Sequence, residues 1–349
     1  MGTSPGLRDV LGLKFASGGG GNIMEFKMND SVFEQICSLE NLFSAWDTFG
    51  CGKHTRADVA AYELDLEDHL FDLRGDLLAD RYFHDPYVSF TIHDPKQRWI
   101  HKATVKDRVV HQAIVNVIEP LFERVFIHDS YSCRLDKGTH ASVDRLRTFL
   151  HKASQNNTRT VYVLKCDVQK FFASVNHEVL FSLLQRRIHG DRTVDLIQRS
   201  IRSFSASEGR GIPLGNLTSQ LFANIYMNEL DRFVKHGLRE KYYLRYCDDF
   251  VIIGSDHGAL LDLIDPINVF LHSTLRLALH PKKISIRTWN QGVDFVGHVL
   301  MPHATVLRTK TAQRMLRRAD VWNVASYLGI CGHVDAFEHE QTIRTKVYA

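Results

Sequence analysis

Apolar residues recur at three- and four-residue steps through ENLFSAWDTFG and DVAAYELDLEDHLFDLRGDLL, which predicts helix over most of the span from Phe33 to Leu78. The period then shortens. YFHDPYVSFTIHDPKQRWIHKA alternates in brief runs broken by Pro86 and Pro95, the pattern of a small antiparallel sheet. KDRVVHQAIVNVIEPLFERVF returns to helix, with Val109, Ala113, Val117 and Leu121 along one face. RTVYVLKCDVQKFF reads as a strand leading into a helix at about NHEVLFSLLQRRI. NLTSQLFANIYMNELDRFVKH is a strong helix signal, with Leu217, Leu221, Ile225 and Phe233 sharing a stripe and Asn216 or Thr218 placed to cap it. YLRYCDDFVIIG then reads as a β-hairpin, residues 259–276 as a further helix, and KISIRTW and VDFVGHVLM as strands. That order fits an α+β layer with helices on one face of an antiparallel sheet. No internal repeat is present.

Composition alters this picture little. The chain has 349 residues, long enough for two or three cooperating subdomains, and its 44% hydrophobic and 24% charged residues are ordinary for a globular protein. The net charge of +3 argues only weakly for a polyanionic partner. Its distribution says more. Arg308, Lys310, Arg314, Arg317 and Arg318 fall in one acid-free segment, and Lys96, Arg98, Lys102, Lys106 and Arg108 in a second basic stretch. Either alone is compatible with a solvated face; beside a carboxylate site they suggest a nucleic-acid track. The six cysteines are scattered with no CxxC pair, which suits a reducing cytosol and supports neither a zinc ribbon nor a disulfide framework. No apolar stretch reaches membrane-span length, and no charged leader precedes an apolar core, so neither membrane insertion nor secretion is expected. Residues 1–23, ending in FASGGGGNI, read as a flexible leader, with Met24 an alternative start.

The chemistry centres on Asp248 and Asp249, adjacent carboxylates at the tip of the predicted hairpin. Two aspartates in a turn are compatible with an ordinary turn. A second acid points elsewhere: Asp167 stands where the strand VYVLKCD gives out. Two strands delivering acids to one edge can hold a pair of hard divalent cations such as Mg²⁺, which clamp the attacking and leaving oxygens of an in-line phosphoryl displacement. Such ions would offset the repulsion of the paired charges.

With these residues in place, YCDD resembles the Tyr-x-Asp-Asp signature of reverse transcriptases, and LKCDVQKFFASVNHEVL their preceding aspartate block. WIHKATVKDRVVHQAIVNVIEPLFE, YSCRLDKGTHASVDRL, GIPLGNLTSQLFANIYMNELD, LHPKKISI and VDFVGHVL are similar to the remaining blocks, in order, from about Phe90 to Arg308. The resemblance implies a right-hand polymerase fold: fingers over residues 24–160, a palm with an antiparallel sheet backed by helices over 161–305, and a short basic helical thumb over 306–349. It implies that Asp167 and Asp248 ligate two Mg²⁺ ions and that Asp249 supports them. Phe172 would lie under the sugar of the incoming dNTP and exclude a 2′-hydroxyl; its other reading is a core aromatic, and Phe171 is one of the two. Arg98 would contact the incoming nucleotide by pairing with phosphate or stacking on base. Lys102 and Arg108 belong to the same block, Arg108 being equally suited to holding the fold. Lys283 would protonate the leaving pyrophosphate, with Lys282 its untested neighbour.

The block IPLGNLTSQ narrows the resemblance. Retroviral and group II intron-type enzymes typically carry Gln-Gly-x-x-x-Ser-Pro here, whereas this chain has Leu214, Gly215 and, in place of the proline, Gln220. That form is similar to reverse transcriptases of diversity-generating retroelements, which copy a template RNA into cDNA with misincorporation opposite adenine. A leucine cannot make the hydrogen bond a glutamine offers near the templating nucleotide. One such bond is worth roughly 1 kcal/mol, while tenfold selectivity takes about 1.4 kcal/mol. Leu214 alone therefore does not account for frequent errors, and the resembling family also implicates the residue matching Arg98. Packing against the next helix is an equal reading of Leu214. Gly215, just before a helix, lets backbone approach substrate closely. The resemblance further implies template RNA, primer or cDNA and dNTPs as ligands, a basic accessory variability protein as partner, and a cytoplasmic bacterial, archaeal or phage-encoded setting. Two alternatives stand beside it: another bacterial reverse transcriptase (retron, CRISPR-associated or abortive-infection type), and a palm-fold RNA-binding scaffold without catalysis. The 19 histidines form no HExxH pair, and the glycine run at 18–21 lacks the Lys-Ser/Thr of a phosphate loop.

Overall fold

The computed structural model describes residues 31–93 and 97–348. The leader assigned to residues 1–23, and Lys96, lie outside the described residues. Helices α1 (31–36), α2 (Leu39–Gly50), α3 (Ala57–Glu63) and α4 (Leu66–Leu78) follow the predicted helical period. The Ser38 hydroxyl starts α2 by accepting the Asn41 N–H at 3.2 Å. Leu42, Ala45, Trp46 and Phe49 of α2, with Leu70, Leu73 and Leu77 of α4, are buried at the three- and four-residue steps the sequence shows. After the hairpin β1 (Val88–Ile92) and β2 (Arg98–Lys102) comes the long helix α5 (Val105–Glu123), capped by Thr104. Val109 and Ala113 are buried as expected, but Val117 and Leu121 are half-buried. Val110, Ile114, Ile118 and Phe122 go deeper instead, because α5 is packed from two sides, by α2 and by a later helix.

Helix α6 (Thr139–Ala153) precedes β3 (Tyr162–Asp167), which leads through the turn α7 (Phe171–Ser174) into α8 (His177–Gln185) and α9 (Asp191–Arg202). Helix α10 (Leu217–Arg232) then feeds the hairpin β4 (Tyr243–Tyr246) and β5 (Asp249–Gly254). With β6 (Ser285–Thr288) these strands form an antiparallel sheet in the order β4-β5-β3-β6. The sheet is covered on both faces, not on one. Leu164, Cys166, Tyr243, Phe250 and Ile252 join a core with Phe222 and Tyr226 of α10, while Val163, Leu244, Val251 and Ile253 join Leu146, Phe149 and Leu150 of α6. Burial on both faces explains why β5 reads FVII, continuous rather than alternating.

Helix α10 is wrapped nearly all round, so the predicted stripe of Leu217, Leu221, Ile225 and Phe233 is only part of its buried surface. Leu217 and Phe233 are half-buried. Asn216 occupies the cap position, but its side chain makes no capping bond, and Thr218 lies inside the helix. The helix predicted over 259–276 is two, α11 (His257–Asp262) and α12 (Ile264–Leu275). Pro266 has no N–H for the carbonyl of Asp262, and the hydrogen-bond ladder breaks there. A small sheet of β7 (Val293–Phe295), β8 (His298–Leu300) and β9 (Thr305–Leu307) follows. Helices α13 (Thr309–Arg318), α14 (Val324–Cys331) and α15 (Phe337–Tyr348) build a separate apolar cluster of Leu307, Met315, Val324, Cys331 and Ile343. Paired bonds tie it to the rest: Asp335 N–H donates to the Thr305 carbonyl at 2.7 Å, and Thr305 N–H to Asp335 Oδ2 at 2.8 Å. Among the described residues no helix is long and apolar enough to cross a membrane.

Candidate functional site

The register of β3 against β5 places Asp167 directly opposite Asp249 at one sheet edge, with Asp248 in the turn between β4 and β5. Strand pairing alone thus brings the three aspartates to one end of the sheet. The Val168 N–H donates to the Asp248 carbonyl at 3.3 Å, and His280 N–H to the Asp167 carbonyl at 2.8 Å. The second bond lays the segment Ala278–Lys283 along the end of β3. Lys283 then reaches back, its Nζ 2.7 Å from each oxygen of Asp167. Lys165 lies 4.0 Å from Asp249 and donates to the Asp294 carbonyl at 2.9 Å.

This edge is short of positive charge. Burial, and then the charge of Asp167, raise the Asp248 carboxyl above its ordinary range. Burial raises Asp249 to about 6 against the pull of Lys165, with Asp167 and Asp248 adding repulsion. The Cys247 thiol is also pushed up, by burial and by Asp248, so it is neutral in the turn. The donor set fits hard divalent cations: all-oxygen ligands, crowded and under-neutralised. Among the described residues no three acidic, histidine or cysteine side chains already converge as a formed ion site. Asp167 turns both oxygens to the Lys283 ammonium, a cation standing where another would compete.

The other predicted residues divide into groups. Phe171 is buried core, and Phe172 beside it is half-buried, with ring centroids 5.4 Å apart. The Phe172 carbonyl accepts the Ile212 N–H at 2.8 Å, which brings in Leu214 and Gly215 two and three residues on. Gly215 is exposed at φ +109, and a Cβ there would meet Ile100 Cγ2 at 3.0 Å. The Leu214 carbonyl accepts the His101 N–H at 3.3 Å, so β2, which carries exposed Arg98, docks on this segment. Gln220 is half-buried in the first turn of α10. Lys102 and Arg108 are brought together elsewhere: both pair with Asp58, at 2.7 and 2.5 Å. Arg108 also donates to the Thr104 carbonyl and lies over the Phe49 ring, the contacts of a residue that holds the fold.

Sequence reasoning missed Lys165 and, behind the hairpin, Arg245 and Asp231, a fully buried ion pair. A signal was available in YLRY, because an arginine inside an otherwise apolar strand requires a buried acid.

Residues 93–300, more than half of the chain, match the family described as reverse transcriptase (RNA-dependent DNA polymerase). Protein YkfC of Escherichia coli strain K12 is 26% identical over 271 residues, 66% of this chain and 70% of its own. The group II intron-encoded protein LtrA of Lactococcus lactis subsp. cremoris is 24% identical over 273 residues, 58% of this chain and 44% of its own length. A solved structure of apo telomerase from Candida tropicalis, truncated from its C-terminal domain, is 14% identical with a TM-score of 0.48, over 68% of this chain and 59% of that one. The chain thus spans less than half of the intron-encoded relative. Family membership assigns the mixed helix and antiparallel-sheet architecture to the right-hand polymerases, and enzymes of this family generally use divalent metal ions. The chain belongs to the reverse transcriptase family.

Proposed function

We propose that the chain is an RNA-directed DNA polymerase of the diversity-generating type, copying a template RNA onto a cDNA primer with dNTPs and erring opposite adenine. The carrying observation is the sheet edge where Asp167, Asp248 and Asp249 meet beside Lys283. Two Mg²⁺ ions, held by Asp167 and Asp248 with Asp249 in support, would polarise the primer 3′-hydroxyl and neutralise the leaving pyrophosphate. The chain's own residues do the rest. Lys283, already a hydrogen-bond donor at this edge, passes a proton to the leaving pyrophosphate. Phe172 lies under the sugar and excludes a 2′-hydroxyl. Arg98 reaches the nucleotide from the exposed face of the β1–β2 hairpin, and Lys102 and Arg108, through Asp58, seat that hairpin's base. Leu214, Gly215 and Gln220 line the templating position, Leu214 without a side-chain hydrogen bond to offer. Residues 306–349 serve as a short thumb, and a basic accessory protein together with structured RNA completes the grip in the cytoplasm.

The similarity to YkfC and LtrA supports a second reading, a faithful reverse transcriptase of group II intron type. Extension on an RNA template of mixed sequence, with and without the accessory protein and followed by product sequencing, separates them. Errors concentrated opposite template adenine, and absent with Asp248→Asn, support the first. Faithful extension supports the second. RNA binding without extension, even with the partner, would refute both.

A further inference from the structure

Behind the catalytic edge, Arg245 of β4 and Asp231 of α10 are both fully buried. The guanidinium Nε and Nη2 each donate to Asp231 at 2.7 Å, one to each carboxylate oxygen, and the Tyr243 hydroxyl adds a bond to Asp231 Oδ1 at 2.6 Å. The remaining nitrogen, Nη1, is turned the other way. It donates to the Cys247 carbonyl at 2.9 Å and to Asn224 Oδ1 at 3.3 Å. Arg245 is itself fixed by backbone bonds: its N–H donates to the Asp129 carbonyl, and its carbonyl accepts the Tyr131 N–H, both at 2.9 Å.

A buried ion pair stabilises a fold little more than well-packed apolar residues would. An apolar residue, however, could not hold the Cys247 carbonyl. That carbonyl shares one planar peptide unit with the Asp248 N–H, so anchoring it sets how Asp248 leaves the turn. The anchor is needed because Cys247 is left-handed, at φ +57, a conformation that a non-glycine residue resists. We propose that Arg245 is a positioning residue for Asp248, with Asp231 orienting the guanidinium so that Nη1 locks the Cys247–Asp248 peptide. This rests on the reading of Asp248 as an ion-binding catalytic aspartate.

The test compares Arg245→Lys, whose ammonium lacks the fork needed to hold Asp231 and the carbonyl together, with Tyr243→Phe, which removes a bond to Asp231 and leaves the carbonyl contact intact. Arg245→Lys should lower kcat for primer extension at least tenfold, with the dNTP KM and the template–primer Kd within twofold of wild type. Mn²⁺ binding, followed by the electron paramagnetic resonance of the free ion, should weaken at least fivefold. Tyr243→Phe should stay within twofold on every count, even where its melting temperature falls as far. Cys247→Gly added to Arg245→Lys should restore kcat at least threefold, because glycine adopts the left-handed turn without an anchor. A kcat within twofold of wild type for Arg245→Lys, or equal losses in both single variants, would overturn the proposal. If the wild-type chain does not polymerise, the functional reading fails, and Mn²⁺ binding by the two variants still decides the role of Arg245. If Arg245→Lys does not fold, arginine ¹⁵N resonances of the wild type decide: slow Nη1 proton exchange supports the lock, and rapid exchange with free guanidinium rotation overturns it.

Discussion

Replacing Asp249 by Asn should stabilise the metal-free protein, at a cost to function. Burial holds the Asp249 carboxyl at about 6 against an ordinary 3.8, with Asp167 and Asp248 adding repulsion. At ~1.4 kcal/mol per pH unit, that rise is worth about 3 kcal/mol at neutral pH. The sign follows from proton counting. Between 3.8 and about 6 the unfolded chain has lost the proton that the folded chain still binds, so stability falls as pH rises through this window and levels off above it. Asparagine removes the titration, so the gain should be near its full value at pH 7.5 and about half as large at pH 5. The attraction of Lys165 is already contained in that net rise. Roughly 2–4 °C per kcal/mol holds for medium-sized chains, which makes the increase at pH 7.5 about 3–6 °C for this longer one. Thermal melts in EDTA at the two pH values measure it. Mg²⁺ should then raise the wild-type melting temperature more than that of the variant, closing the gap, since it binds the folded carboxylates. A gain at pH 5 equal to that at pH 7.5, or none at pH 7.5, would refute the buried Asp249 charge as the source.

His111 of α5 carries the opposite dependence. It is fully buried, both ring nitrogens lack partners, and burial, then His84 and Arg108, depress its pKa to about 3. The unfolded chain protonates it near 6.5, so stability is lost as pH falls from there, by about 2 kcal/mol at pH 5. His111→Leu should remove that share of the acid sensitivity, seen as a smaller shift in urea midpoint between pH 7.5 and pH 5. Gly215→Ala forces a Cβ to 3.0 Å from Ile100 Cγ2 at φ +109, a strain of about 1–3 kcal/mol. It should raise the dNTP KM by displacing β2, and Ile100→Ala should relieve it only in part, because the backbone strain remains. On the proposed diversity-generating reading, Leu214→Gln should reduce errors opposite template adenine by less than tenfold, the worth of about one hydrogen bond. Product sequencing measures that change, and a return to uniform fidelity would show Leu214 acting alone.

The sheet edge was legible because the ends of apolar runs are local features: Asp167 ends one run and Asp249 begins another, and the register of two strands distant in sequence then makes them neighbours. The elements were legible for the same reason, except where tertiary surroundings decided. Nothing in the local period of α10 shows that it is wrapped on every side, and the stripe read from Leu217 to Phe233 understates it. The continuous FVII of β5 did carry the news of a second covered face, and the α6 residues that supply it, Leu146, Phe149 and Leu150, are about a hundred positions away. Charged residues were the hardest to place. Arg98, Lys102 and Arg108 look alike in sequence, yet two of them share Asp58, fifty residues distant from Arg108, while Arg98 stays exposed. The arginine in YLRY signals a buried acid, but the role of Arg245 is not legible there, because its partner lies one element back and its service is to a backbone carbonyl, which no side-chain pattern records. These failures share a cause. An arginine's role is set by which acid claims its fork and what the leftover nitrogen finds, and both answers come from packing. The carboxylate edge follows the reverse order: the charges of Asp248 and Asp249 are destabilising in the metal-free fold, so their placement makes sense through the cations they can receive.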